Sequence, residues 1–454
     1  MAAGKGTRMK SALPKVLHKL AGRALLRHVV DMSARLQPRR LVVVTGHGAD
    51  EVEASLSDTA ARFVRQMPQK GTGHAVQQTV PVLDDANGMT LILYGDVPLI
   101  SEASARALIQ ACAATHLALL SFKPKDAARY GRIVRNAAGA VQAIVEYKDA
   151  SAAQRAIGEV YSGIMAAPTA MLKRWVMALK DDNAQHEFYL TDVVAMAVAE
   201  GVPVVAQVTD DESEVAGVND ARQLIALERE LQHRQADALI EQGVRLADPM
   251  RFDQRGALHC GSDVEIDVGC IFEGEVFLAD GVRIGAHCVL RNARIEAGAV
   301  IHPFTHIEGA TVGAGALIGP YARLRPGAEL GAGVHIGNFV EVKNSTLAAG
   351  AKANHLAYLG DATVGERVNF GAGSITANYD GANKHRTVIG NDVHVGSNCV
   401  LVAPVKLGDG ATIGGGSTIA KDAPAGQLTV ARARQATLGG WARPKKPAKT
   451  PPGA

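Results

Sequence analysis

A glycine-rich loop with basic residues opens the chain and could bind phosphate. Its sequence is Gly4-Lys5-Gly6-Thr7-Arg8-Met9, followed by Leu13-Pro14-Lys15. Glycine lets backbone N–H groups approach a phosphate or a base closely, while Arg8 and Lys15 supply positive charge. The spacing differs from that of the Walker P-loop, which requires G-x-x-x-x-G-K-[ST]. We therefore predict a nucleotide site of another kind.

An aspartate follows a short apolar run and could hold a metal ion. The run 91–94 leads into Tyr94-Gly95-Asp96-Val97-Pro98, which places Asp96 just past the carboxyl end of a predicted strand. Ligands of open α/β sheets bind at this end of the strands, and a carboxylate there can hold Mg²⁺ against the phosphates of a nucleotide. An isolated aspartate would be interpreted as a helix cap or turn residue. The neighbouring phosphate-binding loop favours the metal.

A histidine and a tyrosine in the second half of the chain could support acid–base chemistry. They lie in Asn354-His355-Leu356-Ala357-Tyr358. Because the pKa of histidine is close to neutral, it suits the role of general base for an amine that attacks a thioester. We interpret most of the 15 histidines as surface residues, and His355 is singled out as the candidate base by the family resemblance given below. Glu341 is a candidate to orient or polarise it.

A six-residue period positions this second group of residues. A small aliphatic residue recurs at every sixth position in three runs between Val264 and Ile419. This period fits a solenoid of short strands and tight turns, in which each repeat supplies one inward residue and only stacking buries a core. The period breaks between Lys343 and Ile389, around His355 and a turn-rich loop at 378–384. The three runs are Leu278, Ile284 and Leu290; Val312, Ile318, Leu324, Leu330, Ile336 and Val342; and Ile389, Val395, Leu401, Leu407, Ile413 and Ile419.

The first half of the chain has a different pattern. Strand-like runs at 41–44 and 91–94 alternate with helical runs at 25–36 and 103–114, which is typical of a parallel, Rossmann-like sheet. Residues 220–242 carry leucines at helical spacing, and Gly243 suits a C-terminal cap. We predict an α/β domain at 1–219, a linker helix at 220–243, a β-helix at 244–440 and a disordered Lys/Pro-rich tail at 441–454.

Composition limits the classes of function. The 454 residues allow two or three domains, and 48 glycines with only 4% aromatic residues suit a solenoid. A net charge of +3 gives no nucleic-acid footprint. Five cysteines without a CxxC motif predict a reducing compartment, no disulfide and no zinc site. Without a signal peptide or a long apolar run, we expect a cytoplasmic protein without a membrane partner.

The motifs of both halves resemble known families. The glycine-rich loop with Pro14-Lys15 resembles the signature of sugar-phosphate nucleotidyltransferases, and the array resembles the left-handed parallel β-helix of hexapeptide acyltransferases. Over nearly the whole chain, the sequence is similar to the bacterial bifunctional N-acetylglucosamine-1-phosphate uridylyltransferase/glucosamine-1-phosphate N-acetyltransferases. This resemblance implies acetylation of glucosamine-1-phosphate by acetyl-CoA, then UTP-dependent formation of UDP-N-acetylglucosamine for cell-wall precursors. It also implies Mg²⁺ on Asp96 and Asn219, and a homotrimer.

The resemblance also implies the site residues. His355 would be the catalytic base, and Tyr161 stands where the family often has Asn. Residues implied for UTP and the UDP-sugar are Ala2, Ala3, Gly4, Arg8, Lys15, Gln66, Gly71, Thr72, Tyr94, Gly95, Asp96, Gly131, Glu146, Tyr161 and Asn219. Those implied for the acceptor sugar phosphate are Arg325, Lys343, Tyr358 and Asn369, and those for acetyl-CoA are Ala372, Asn378, Tyr379, Ser397, Gly415 and Arg432.

One departure from the family pattern leaves alternatives open. The family has an apolar strand before the glycine-rich loop, and this sequence starts inside the motif. We expect a missing strand to leave the centre of the sheet unpaired and the loop unanchored, so the true start should lie upstream. One alternative is an acetyltransferase whose N-terminal domain is impaired. Another is a nucleotidyltransferase whose β-helix only assembles oligomers, which predicts no base in the solenoid.

Overall fold

The computed structural model describes residues 1–83, 87–127 and 130–446. They form two compact units. Unit 1 comprises Met1–Gln242, Asp248–Leu258 and Ile271–Gly274, and unit 2 comprises Gly243–Ala247, His259–Cys270 and the chain from Glu275 onward. The α-helices of the described residues are α1 (Leu25–Arg35), α2 (Ala49–Ala54), α3 (Thr72–Gln77), α4 (Glu102–Cys112), α5 (Ala152–Arg155), α6 (Thr169–Ala178), α7 (Asp192–Ala199) and α8 (Ala221–Glu241). None of these helices is long and apolar enough to span a membrane.

Unit 1 is an α/β structure built on a mixed sheet. Five strands follow the order β10-β6-β9-β7-β8, with β5 paired to β9, and β3 pairs with β4 in a separate parallel pair. The expected sheet is therefore not purely parallel, because β9 runs antiparallel to β5 and β6. The strands are β1 (Lys19–Leu20), β2 (Arg23–Ala24), β3 (Val42–Thr45), β4 (Arg62–Arg65), β5 (Met89–Ile92), β6 (Leu117–Phe122), β7 (Arg132–Arg135), β8 (Val141–Val145), β9 (Val160–Pro168) and β10 (Val204–Thr209).

The central strand β6 is buried on both faces. Side chains alternate along a strand, so Ala118, Leu120 and Phe122 pack with α4, whereas Leu117 and Leu119 pack with α6. Helices thus cover both sides of the sheet, as the alternating sequence pattern predicted. The predicted linker helix forms as α8, whose N-terminal amides bond to the Asp220 carboxylate, and it packs on unit 1 through Leu227.

A cavity separates β3 from β5. Its volume is about 320 Å³, and it is lined by 42–44 of β3, 90–92 of β5 and apolar residues of α1. Among the described residues, β3 pairs only with β4 and β5 only with β9. The expected gap at the centre of the sheet is therefore present.

The first residues of the chain close one end of this cavity. Met1 N donates to Leu93 O at 2.7 Å, and Gly95 N donates to Met1 O at 2.9 Å. Ala2 N donates to Val44 O at 2.8 Å. The expectation that the loop would be unanchored is therefore wrong, because these bonds tie it to β3 and to the segment that follows β5.

The chain after α8 forms a parallel β-helix with three faces, as predicted. Face A has the order β11-β13-β15-β17-β20-β23-β26-β29-β32-β35-β37; face B has β18-β21-β24-β27-β30-β33-β36; face C has β19-β22-β25-β28-β31-β34, and β16 joins faces B and C. The strands are β11 (Arg245–Leu246), β12 (Phe252–Cys260), β13 (Glu265–Ile266), β14 (Cys270–Leu278), β15 (Arg283–Ile284), β16 (Val289–Ile295), β17 (Val300–Ile301), β18 (His306–Glu308), β19 (Thr311–Val312), β20 (Leu317–Ile318), β21 (Arg323–Leu324), β22 (Glu329–Leu330), β23 (His335–Asn338), β24 (Glu341–Lys343), β25 (Thr346–Leu347), β26 (Lys352–His355), β27 (Tyr358–Gly360), β28 (Ala362–Val364), β29 (Asn369–Phe370), β30 (Ile375–Ala377), β31 (Thr387–Ile389), β32 (His394–Val395), β33 (Val400–Val402), β34 (Val405–Leu407), β35 (Thr412–Ile413), β36 (Thr418–Ile419) and β37 (Leu428–Thr429).

The coils stack with their aliphatic residues inward. Leu324, Val342 and Leu359 are partners in successive coils and are buried. The sequence suggested that the array breaks after Lys343, but in the structure it does not. It continues through strands β25 to β30. The long steps between partners, such as that from Thr363 to Val388, all span the inserted loop 378–385.

The predicted tail begins in the described part of the chain. Residues 441–446 are exposed and lie outside helices and strands. Residues 447–454 lie outside the described residues.

Candidate functional site

Two side-chain oxygens and two cations meet beyond the end of β5. The Lys15 ammonium contacts the Asp96 carboxylate and lies 3.4 Å from Asn219 Oδ1. Arg8 Nη2 donates to the same Asn219 oxygen at 2.9 Å. The backbone holds the two acceptors together, because Val218 N donates to Asp96 O at 2.8 Å. Four predicted residues, distant in the sequence, thus form one cluster.

The glycine-rich loop sets the position of these cations. Gly6 has a φ of 60°, and a Cβ there would lie 2.5 Å from Lys15 Cβ, so another residue would displace Lys15. Ala2 and Ala3 are buried. Gly4 is exposed, and no described atom lies within 4 Å of where its Cβ would be. A ligand can therefore approach the loop beside Gly4.

Tyr94 connects this cluster to a second group of predicted residues. Burial, together with the Glu146 and Asp96 carboxylates, raises the pKa of its hydroxyl, while a hydrogen bond with Thr72 lowers it. Gly163 has a φ of 97°, and a Cβ there would lie 2.9 Å from the Tyr94 ring. The ring is thus fixed between the two groups, and both belong to one region of unit 1.

The Glu146 carboxyl is largely desolvated. Burial raises its pKa, a hydrogen bond from Thr191 Oγ1 at 3.1 Å lowers it, and the carboxylates of Asp192 and Asp149 raise it. A Cβ on Gly131 would lie 3.7 Å from this carboxyl, so glycine keeps the approach to Glu146 open. A carboxyl of this kind can accept hydrogen bonds from the hydroxyls of a sugar.

The loop before α3 is fixed by its own hydrogen bonds and by a distant segment. Gln66 Nε2 donates to Gly71 O at 2.9 Å. Gly71 has a φ of 98°, and a Cβ there would lie 2.7 Å from Phe188 O. Leu190 N donates to Thr72 Oγ1 at 3.1 Å. The side chains of Gln66 and Thr72 thus help to hold this loop in place.

The hydroxyl of Tyr161 is already bonded within the chain. It donates to Gly163 O at 2.6 Å, and Tyr161 N donates to Gly131 O at 2.9 Å. The ring is buried in the core of unit 1. A sugar could use this hydroxyl only by displacing its bond to Gly163.

His355 lies at the end of β26, at the corner between faces A and B. Its ring is exposed, and Nδ1 lies 3.0 Å from Oδ1 of Asn338, its partner in the preceding coil. With the proton on Nδ1, the lone pair of Nε2 is available to a substrate. The expectation that Glu341 orients His355 is wrong, because Glu341 Oε1 accepts a hydrogen bond from Arg325 Nη1 at 2.7 Å. Asn338 has that position.

Four predicted acetyl-CoA residues continue the line of His355 along the A–B corner. After His355, the corner passes Ala372, Ser397 and Gly415, with one residue in each successive coil, and Arg432 joins this line through its side chain. Arg432 Nη1 donates to Gly415 O at 2.8 Å. A long ligand bound along this corner would bring one end to His355.

The cations predicted for the acceptor lie on face B. Lys343 Nζ lies 3.5 Å from the Asp361 carboxylate, next to Arg325 of the preceding coil. Asn378, predicted for acetyl-CoA, lies here instead of in the corner line. Its Nδ2 contacts Asp361 and lies 3.5 Å from the Tyr358 hydroxyl. Arg325, Lys343, Tyr358 and Asn378 therefore form one polar group.

Two predicted residues lie apart from this group. Asn369 begins β29 on face A, and its Nδ2 lies 3.1 Å from His394 Nδ1. Tyr379 is 61% exposed and donates through its hydroxyl to Gly381 O at 2.6 Å. Within one chain, Asn369 does not join the acceptor residues of face B.

Comparisons with known proteins identify the family of the chain. Residues 1–245 match the MobA-like NTP transferase domain, and residues 309–344 and 386–421 match the bacterial transferase hexapeptide (six repeats). The chain is 71% identical over 453 residues to Bifunctional protein GlmU of Methylibium petroleiphilum, covering 98% of each. It is 65% identical over 461 residues to Bifunctional protein GlmU of Albidiferax ferrireducens, covering 98% of this chain and 99% of that protein. The chain belongs to the GlmU family.

Membership of the GlmU family confirms the predicted function. The chain is a bifunctional transferase with uridylyltransferase and acetyltransferase activities. The alternative with a β-helix that only assembles oligomers is therefore not supported.

Three residues beside the candidate sites were not selected from the sequence. Asn338 precedes His355 by one coil, so an offset of one coil from the candidate base could have found it. Thr191 lies 45 positions from Glu146, and no local pattern connects them. Lys384 was missed because loops carry many lysines, yet the Lys343 ammonium beside it lowers its pKa.

Proposed function

We propose that residues 1–219 carry the uridylyltransferase site, with Arg8, Lys15, Asp96 and Asn219 at its centre. The supporting observation is that oxygens of Asp96 and Asn219 already converge on one cation, the Lys15 ammonium. Carboxylate and amide oxygens also suit Mg²⁺, with phosphate oxygens and water completing the ligand set. The bound ion would neutralise charge on the nucleotide's phosphates.

This reaction needs positioning and charge, and no side-chain nucleophile. A phosphate oxygen of N-acetylglucosamine-1-phosphate attacks the α-phosphorus of UTP in line, and pyrophosphate leaves with the electron pair of the broken P–O bond. Arg8 and Lys15 stabilise the negative charge that moves to the leaving group. The residues assigned to uridine are Gln66, Gly71 and Thr72, and those assigned to the sugar are Gly131 and Glu146.

We infer that residues 244–440 carry the acetyltransferase site, with His355 as the base. The amine of glucosamine-1-phosphate attacks the thioester carbon of acetyl-CoA, Nε2 of His355 takes the amine proton, and the C–S bond breaks to release the CoA thiolate. Asn338 fixes the ring and its Nδ1 proton. Arg325 and Lys343 bind the acceptor phosphate. The acetylated product is then the acceptor for uridylyl transfer, which gives UDP-N-acetylglucosamine.

An exposed apolar stripe supports a homotrimer. Phe304, Tyr321, Phe339 and Leu356 occupy the A–B corner in successive coils, each between 47% and 63% exposed. The three rings stack with centroids 4.9 and 5.4 Å apart. Exposed apolar side chains in one patch are typical of an interaction surface. Because Leu356 adjoins His355, we propose that neighbouring subunits cover the stripe and complete the acetyltransferase site.

Two assays on the full chain test these assignments. They are acetylation of glucosamine-1-phosphate and Mg²⁺-dependent release of pyrophosphate from UTP with N-acetylglucosamine-1-phosphate. Asp96→Ala should abolish only pyrophosphate release, and His355→Ala only acetylation. The exposed Asp50 and the half-buried His306 serve as controls, because Asp50→Ala and His306→Ala should change neither activity. If wild type acetylates but releases no pyrophosphate, the impaired-domain alternative holds, and absence of acetylation would contradict the assignment of unit 2.

The trimer is tested by light scattering after size exclusion. Wild type should have three times the 47.5 kDa mass of one chain. Phe339→Glu places a charge in the stripe, so it should lower the mass and acetylation while leaving uridylyl transfer unchanged. A trimeric, active Phe339→Glu variant would contradict the role of the stripe.

A further inference from the structure

The corner between faces B and C has the same backbone conformation in five successive coils. Asn292, Gly309, Gly327, Asn344 and Asp361 occupy it with φ values between 46° and 79°. This left-handed region is open to Gly and is tolerated by Asn and Asp. Gly or Asn is sufficient in four of these coils, so the corner itself does not require a carboxylate. The charge of Asp361 therefore needs another explanation.

The Asp361 carboxylate binds three donors. Its Oδ1 accepts from Asn344 Nδ2 at 2.5 Å, and its Oδ2 accepts from Asn378 Nδ2 and lies 3.5 Å from Lys343 Nζ. The side chain is only 9% exposed. Burial alone would raise the pKa of Asp361, but the hydrogen bonds from Asn344, Asn378 and Lys343 lower it. The group is a buried carboxylate anion.

Two of these donors belong to different parts of the acetyltransferase site. Lys343 ends β24, and Asn378 begins the loop inserted after β30. We propose that Asp361 is a positioning residue for acetyl transfer, which fixes Lys343 and Asn378 in one arrangement before the acceptor binds. The proposal rests on the acetyltransferase function proposed above, in which Lys343 binds the acceptor phosphate.

The geometry also indicates what happens to Lys343 when the acceptor binds. Its 3.5 Å contact with Asp361 is longer than an ordinary charged hydrogen bond. The ammonium has further N–H donors, so it can bond to the acceptor phosphate while Asp361 still holds the Asn378 side chain. Asn378 in turn stays next to the Tyr358 hydroxyl. Asp361 thus orders the binding group without blocking it.

Two substitutions separate this role from the needs of the fold. Asp361→Gly retains the left-handed backbone, as Gly309 and Gly327 do in the same column, but removes the anchor. Asp361→Asn retains an oxygen that can accept from Asn378. Asp392→Gly is the matched control, because Asp392 also has a left-handed φ of 55° but pairs with Arg367 on the surface.

For acetylation, the experiment measures kcat and the KM values for glucosamine-1-phosphate and acetyl-CoA. It also measures the rate of uridylyl transfer and the unfolding temperature of each variant. We expect Asp361→Gly to raise the KM for glucosamine-1-phosphate at least about tenfold, a loss of about 1.4 kcal/mol. Asp361→Asn should recover most of that loss. Uridylyl transfer and the unfolding temperature should match those of Asp392→Gly. An unchanged acceptor KM, or a loss explained by a lower unfolding temperature than that of Asp392→Gly, would overturn the proposal. Failure of the proposed function is distinct, since wild type itself would then lack acetylation.

Discussion

The N-terminal ammonium of Met1 makes the stability of unit 1 depend on pH. Burial lowers its pKa from 8.0 to about 6, although the Asp96 carboxylate opposes that change. Between these two values the unfolded chain binds more protons than the folded chain, so stability rises as the pH rises. The difference between the two pKa values corresponds to about 2.7 kcal/mol. About 2 kcal/mol of it falls between pH 6 and pH 8.5.

Urea unfolding monitored by tryptophan fluorescence can measure this difference. Trp175 is buried in unit 1, and Trp441 is exposed, so a Trp441→Phe background leaves a signal for unit 1 alone. The matched control is the same protein with an acetylated N-terminus. Intact mass spectrometry verifies that both proteins retain Met1. His28 and His74, whose pKa values burial also lowers, titrate in both proteins. Equal pH dependence of the free and acetylated proteins would refute the reasoning.

Three further predictions concern the cavity and the two sites. Five apolar β-branched residues added before Met1 should enter the cavity between β3 and β5 and raise the urea midpoint of unit 1. A lower midpoint would show that the cavity does not accommodate a strand. Asn338→Ala should lower the kcat of acetylation about tenfold by releasing the His355 ring, and unchanged kcat would show that the ring needs no such partner. Gly163→Ala should displace Tyr94, reduce uridylyl transfer and destabilise unit 1 by about 1–3 kcal/mol, with acetylation as the internal control.

Most of the β-helix could be predicted because its signal is local and repeated. Each inward aliphatic residue, such as Leu324 or Val342, is buried by an equivalent residue one coil away, so the period alone determines the neighbours. The period was lost after Lys343 for a physical reason. Val342 and Leu347 are consecutive inward residues, but only five positions separate them, because the chain turns tightly at Asn344. The coils still stack with one residue fewer, so the six-residue period is interrupted while the fold continues.

From residue types alone, the candidate sites could be predicted where adjacent residues carry the chemistry, whereas the pairing of Asp96 with Asn219 was implied by the family resemblance. The glycine-rich loop and the segment around His355 each present their groups within a few positions. By contrast, Asn338 and Asp361 act across coils, and Thr191 reaches Glu146 from another element. The cavity in unit 1 follows from an expected missing strand, but the anchoring of Met1 through backbone hydrogen bonds has no signature in side-chain types.

The two candidate sites share one electrostatic arrangement. Each has a lysine proposed to bind phosphate, and each holds that lysine against a carboxylate with an amide beside it. Lys15 contacts Asp96 and Asn219; Lys343 contacts Asp361, which also binds Asn378.

Burying part of an ammonium without a counter-charge would cost free energy and would leave the side chain mobile. The carboxylate therefore neutralises the ammonium and fixes its position until a phosphate binds. In the first site the same carboxylate is also the proposed metal ligand, so a divalent ion and the lysine compete for Asp96. In the second site no metal is needed, because the acceptor phosphate can take a second donor of Lys343 while Asp361 keeps Asn378. Removal of the carboxylate should therefore cost the first site its metal and the second site its alignment, and separate Mg²⁺ and acceptor titrations distinguish these two losses.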